Sequence, residues 1–151
     1  MNRIRARLPV FAAALWWGSL TAIGFLVVPM LFAHLPTPAL AGGTAARLFG
    51  AQTWVSIGCA LLLLMFARPI DTATGRPGQS QGAVAFILLG LLLALIAEFG
   101  VSPRIVAREN LRLWHGVGSA MYLAQWLCAG VVLWRLQDGS PIDASLVRRQ
   151  D

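Results

Sequence analysis

Leu113 to Trp126 reads LWHGVGSAMYLAQW, and this stretch decides how the chain folds. On a helix at about 100° per residue, His115, Ser119, Tyr122 and Trp126 fall at i, i+4, i+7 and i+11, in one narrow stripe. Gly116, Ala120 and Ala124 form an adjacent groove of small residues where a second helix can approach closely. The rest of the circumference is apolar. The pattern predicts a transmembrane helix with one face toward a protein interior and lipid behind it.

The whole chain supports that reading. Of 151 residues, 58% are hydrophobic and only 12% charged, about half the charged share of a soluble domain. Four apolar runs account for the deficit: Leu8–Phe32, Leu48–Phe66, Ala83–Val101 and His115–Trp134. Each is close to the roughly 20 residues that cross a hydrocarbon core of about 30 Å. Inside lipid the backbone must satisfy its own hydrogen bonds, so each run should be helical. A soluble bundle would need charged helix faces, and these runs have none. The expected fold is all-α, an integral membrane four-helix up-down bundle over residues 1–135. Its helices should cover about 8–33, 45–67, 83–102 and 114–135, followed by a polar C-terminal tail, 136–151.

Net charge is +6, with all twelve basic residues arginine. The arginines sit at the ends of apolar runs rather than along one helix face. That argues for membrane boundaries and lipid headgroups, and against a nucleic-acid partner. Cys59 and Cys128 lie inside apolar runs without a CxxC spacing and read as small core residues. Arg3, Arg5 and Arg7 before an apolar run resemble a signal peptide. The run is about 25 residues long, however, well beyond the 7–15 of a signal sequence, so it should be an uncleaved first helix.

Several side chains are candidates for chemistry. In an up-down bundle the end of helix one, the end of helix three and the start of helix four share one membrane face. Met30, His34, Glu98 and His115 all belong there. Glu98 is the only intramembrane acid, and such residues are costly enough to be functional candidates. His34, His115 and Met30 would suit copper, or two of them a haem iron. Ligand or polar-face candidates are His115, Ser119, Tyr122, Glu98, Arg104 and Arg108, with Glu98 expected to pair with Arg104 or Arg108. Arg104, Arg108 and Arg112 recur every fourth residue, so 104–114 reads as a short interfacial amphipathic segment. Expected packing positions are Gly18, Ala22, Gly90, Ala94, Gly116 and Ala120. Pro29 should disturb the last turn of helix one, and Pro103 should end helix three. No nucleophile–base pair supported by an acid, phosphate loop or metal-ligand cluster is present, so the chain leans away from an enzyme.

The order Trp17-Gly18, Pro29-x-x-Phe32, Ala41-Gly42, Phe49, Ser102-Pro103-Arg104-Ile105 and Leu113-x-His115-Gly116-x-x-Ser119 resembles the transmembrane protein 205-like family, domain of unknown function 4149. The resemblance spans roughly residues 12–135. It implies a four-helix membrane protein without an established biochemical activity, and it carries Gly18, Pro29, Pro103, Arg104, His115, Gly116 and Ser119 as shared positions. More distantly, the Trp-Gly…Pro-x-x-Phe first helix is similar to copper-resistance D-type domains and HemJ-type protoporphyrinogen oxidases. The latter rely on a histidine early in the first helix, where this chain has none. The expected role is therefore a non-enzymatic binding or assembly module centred on His115. Copper or haem handling is the alternative, and a homo-oligomer or another membrane protein is a possible partner.

Arginine in place of lysine suits a GC-rich bacterium and an inner-membrane location. Arg3, Arg5, Arg7, Arg68, Arg76, Arg135, Arg148 and Arg149 share one side of the expected topology; Arg47, Arg104, Arg108 and Arg112 share the other. Positive charge stays inside, so both termini should be cytoplasmic. A reporter fused after Asp151 is expected to be active in the cytoplasm only. Periplasmic activity would reverse the orientation.

Overall fold

The computed structural model describes residues 2–67, 80–107 and 110–138, with side-chain surroundings for 7–67, 82–107 and 110–137. Residues 68–79 of the loop expected over 68–82, Arg108 and the tail beyond 138 lie outside the described residues; 80–82 already belong to a helix. The elements run α1 (Asn2–Thr21), a π-helical turn π1 (Ala22–Val27), α2 (Val28–His34), α3 (Pro38–Phe66), α4 (Ser80–Ile96), a second π-helical turn π2 (Ala97–Val101), α5 (Ser102–Val106) and α6 (Leu111–Asp138). Among the described residues, four helical spans are long and apolar enough to cross a membrane: Arg7–His34, Pro38–Phe66, Gly82–Val106 and Leu111–Gln137. Leu15, Leu61, Leu92 and Leu127, one from each span, are more than half exposed. Outward-facing leucine is what a hydrocarbon solvent selects. The protein is an all-α, multi-pass four-helix membrane bundle.

Local chemistry moves two of the expected boundaries. The second span starts at Pro38, not near residue 45, despite Gly42-Gly43. Thr37 is extended and its Oγ1 accepts from the Leu40 N–H at 3.3 Å, while Pro38 stands in the first turn. A threonine N-cap followed by proline is a strong helix start, and it outweighs two glycines. The expected interfacial segment 104–114 is divided. Arg104 belongs to α5, Arg112 to α6, and the chain turns between them through Asn110, whose φ of 34° lies in the left-handed region that asparagine tolerates.

The two internal prolines behave alike. In π1 the helix widens, and the Val28 N–H reaches back five residues to the Ile23 carbonyl. In π2 the Ser102 N–H reaches back five residues to Ala97. Pro29 and Pro103 follow immediately, each without an N–H to donate. Pro103 therefore does not end the third span, which continues through α5 to Val106. A wide turn before each proline accommodates the ring and the missing bond without breaking the helix.

The spans form a closed ring: α1 lies against α3 and α6, and α4 against α6 and α3. The core holds Ala13, Trp16, Leu20, Ala60, Leu63, Ile87, Ala129 and Val132. Trp16, fully buried, is its largest member. Its ring reaches from α1 to Gly90 of α4, where a Cβ would lie 2.8 Å from Cη2 and 3.3 Å from the Cβ of Cys128. Gly90 and Ala94, both buried, line the side of α4 that faces the bundle interior. The expected packing positions Gly18 and Ala22 do not face it, since a Cβ at Gly18 would meet nothing within 4 Å and Ala22 is exposed. Gly116 and Ala120 likewise turn outward. The inner face of α6 carries Gln125, Cys128, Ala129 and Val132 instead.

Gly90→Val should destabilise the bundle by about 1–3 kcal/mol through overpacking against a rigid indole. Gly18→Ala should stay within about 0.5 kcal/mol. Thermal unfolding in detergent measures both, and equal effects would contradict the packing described.

Candidate functional site

Polar side chains gather near the middle of the bundle. Gln52 is 3% exposed, Ser56 0% and Gln125 5%. Gln52 Nε2 donates to Ser19 Oγ at 2.9 Å and, more weakly, to Ser56 Oγ at 3.4 Å. Gln125 Nε2 donates to the same Ser56 Oγ at 3.0 Å. Ser19 Oγ closes the chain on the Trp16 carbonyl at 3.0 Å. Residues of α1, α3 and α6 are joined in one line, and the α3–α6 link crosses the diagonal of the bundle. The opposed position on the fourth side is taken by α4, whose Gly90 and Ala94 leave room for larger neighbours. Among the described residues, Gln52 Oε1 and Trp16 Nε1 are buried without a partner.

A second polar group lies toward the end that carries the π turns. Tyr122 Oη donates to the Leu20 carbonyl at 2.7 Å, just before π1. Its ring occupies the space above Gly24, where a Cβ would collide with it, and meets Phe49 edge-on at 5.2 Å. Trp126 Nε1 donates to Thr21 Oγ1 at 2.8 Å, and Thr21 in turn donates to the Trp17 carbonyl. Trp126 also stacks on Trp17 at 5.8 Å. The π2 turn has its own side-chain donor: Arg104 Nη1 reaches the Gly100 carbonyl at 2.9 Å. Both helical irregularities thus lie beside a carbonyl held by a side chain.

The predicted stripe of α6 is split. Tyr122 and Trp126 face other spans, whereas His115 and Ser119 are exposed. The reason is register: the inward line of α6 runs through Gln125, Ala129 and Val132 and on to Gly118, which faces Val101 and Ile105, so that His115 and Ser119 lie to one side of it. His34 is exposed at the end of α2, with Nδ1 3.0 Å from the Met30 carbonyl, and Met30 is itself 51% exposed. Among the described residues no three His, Cys, Asp or Glu side chains come together. Glu98 is half-buried against Gly50, where a Cβ would lie 3.3 Å from Oε1. Arg104 is not its partner, because its guanidinium covers the Trp114 ring at 4.5 Å and binds Gly100. The alternative pairing with Arg108 lies outside the described residues.

Gln125, Gln52, Ser56 and Ser19 were not among the candidates drawn from sequence. The signal was present: each lies near the middle of its span, where an unpaired amide or hydroxyl is most costly.

With the fold and this interior in view, the chain is an integral membrane protein built around a neutral polar core. It belongs to the family described as domain of unknown function (DUF4149), whose model matches residues 11–113, more than half of the chain. The match stops just before the fourth span's polar stripe. Comparison with curated proteins and with solved structures gives no match.

Ser56→Ala removes the acceptor shared by two glutamines and should destabilise the bundle by about 1–3 kcal/mol. Thr53→Ala removes only a bond to the Phe49 carbonyl of its own helix and should cost less. Chemical unfolding in mild detergent compares them. A Ser56→Ala effect below about 0.5 kcal/mol would contradict a shared polar hub.

Proposed function

We propose that this protein is a non-enzymatic membrane assembly module. In this reading it sits in a bacterial inner membrane with both termini in the cytoplasm, as the arginine distribution supports. A partner helix covers the outward face of α6. One observation carries the proposal: His115, Gly116, Ser119 and Ala120 are all exposed, and Gly116 has nothing within 4 Å of a Cβ. Imidazole and hydroxyl groups next to hydrocarbon are unfavourable unless another protein supplies their partners. Glycine and alanine beside them let a second backbone come close. The Gln52 and Gln125 amide nitrogens and the Ser19 and Ser56 hydroxyls are already bonded within the bundle, and the outer face of α6 is the surface for recognition.

The test places a photocrosslinking amino acid at Ser119 in native membranes, with Leu61, an outward position on α3, as control. An adduct of defined mass is expected at 119 and not at 61. Its mass distinguishes a second copy from a different membrane protein. Equal or absent crosslinking at the two positions would overturn the assembly reading.

A further inference from the structure

A groove of about 380 Å³ runs along the outside of the bundle between α1 and α6, lined by Trp17, Trp126, Gly130, Val131, Trp134 and Gln137 among others. It lies at the opposite end of α6 from His115 and is independent of the assembly face. Its inner wall is fixed. Trp126 is held by Thr21 and stacked on Trp17, and Trp17 lies so close to Gly130 that a Cβ there would be 3.1 Å from Nε1. From Trp126 to Gln137 is eleven residues, about 16 Å at 1.5 Å per residue. That is about half of a 30 Å hydrocarbon core, the depth of one leaflet. Trp134, 69% exposed, marks the interfacial end, where tryptophan is favoured.

Charge distinguishes that end. Trp17 stacks on Trp126 across antiparallel helices, so Arg7, ten residues earlier on α1, stands level with Gln137. Arg7 is exposed. Arg135 lies at the same end but turns toward α4, its guanidinium over the Phe86 ring at 5.1 Å and in the space that a Cβ at Gly82 would take. The sequence adds Arg3 and Arg5 about one turn or less further out on α1. Guanidinium groups bind phosphate through paired hydrogen bonds.

We propose that this groove is a binding site for an anionic phospholipid of the leaflet on the side of the termini. One acyl chain lies along Trp17, Val131 and Trp134, and the phosphate meets Arg7, with Arg135 adding to the local positive field. The groove is as deep as one acyl chain is long, and its charged mouth selects the headgroup.

The test uses the full chain in phosphatidylcholine vesicles doped with a small fraction of brominated lipid, which quenches nearby tryptophan fluorescence. Brominated phosphatidylglycerol should quench at a severalfold lower mole fraction than brominated phosphatidylcholine. An arginine near the surface is worth about 1 kcal/mol toward anionic lipid. Arg7→Gln should therefore reduce the preference about fivefold, and Arg7→Gln with Arg135→Gln should abolish it. Val131→Phe, which fills the groove, should weaken quenching by both lipids at an unchanged melting temperature. Equal quenching of the native chain by the two lipids would indicate ordinary boundary lipid and overturn the proposal. So would a preference that survives the double substitution. If Val131→Phe proves unstable, the arginine variants at exposed positions still decide the question.

Discussion

The Ser56 hydroxyl accepts hydrogen bonds from glutamine amides on two different helices, and the interior of the bundle depends on it. Lipid offers no alternative partner to an amide. Without water to compete, apolar packing gives neighbouring helices little reason to prefer one rotation over another. A polar contact that must be satisfied supplies that reason. Once Gln125 points at Ser56, Ala129 and Val132 are inside and Leu127 is outside. Gln52 fixes α3 against Ser19 in the same way, and Trp16 then fills the space that Gly90 leaves free.

This order of causes explains which parts of the fold were legible in the sequence. Four runs of sufficient length, with no charged faces, fix the number of spans and the all-α class. Gly90 and Ala94 show their spacing in the third run, but only the folded bundle puts Trp16 of another span beside Gly90. The rotation of α6 was not legible either. Two stripes lie close together on it, one through His115 and Ser119 and one through Gln125. Periodicity weighs them equally, and only Ser56 on another helix decides between them. A small residue permits close approach but does not cause it, and Gly18, Ala22, Gly116 and Ala120 lie off the interior line of their helices. Thr37-Pro38 and the π turns before Pro29 and Pro103 show a related point. A proline restricts the local backbone, but the remaining hydrogen bonds decide whether a helix stops, starts or widens.

The two ends of the molecule differ in character. At one end are both π turns, both histidines, Glu98 and the Arg104–Trp114 stack. At the other end, Trp17, Trp126 and Trp134 line an apolar groove, and exposed Arg7 and Arg135 belong to the same end of the bundle. The neutral Ser–Gln chain lies between them. It holds no charge and no group of metal-binding side chains among the described residues. A core of this kind is suited to keeping four spans in a fixed arrangement while their outer surfaces meet lipid and protein. Irregular turns in α-helices often mark functional places. Here both have a carbonyl bound by a side chain nearby, from Tyr122 and Arg104, which ties the loosened backbone to the neighbouring structure.

The most direct measurement is a double-mutant cycle on Gln52→Leu and Gln125→Leu, read as unfolding free energy in detergent. The two side chains share Ser56 but are not bonded to each other. The account predicts a coupling energy of about 0.5–2 kcal/mol, the range expected of contacts within one network. Additive effects would mean that the two amides act separately and that the shared hydroxyl does not organise the bundle.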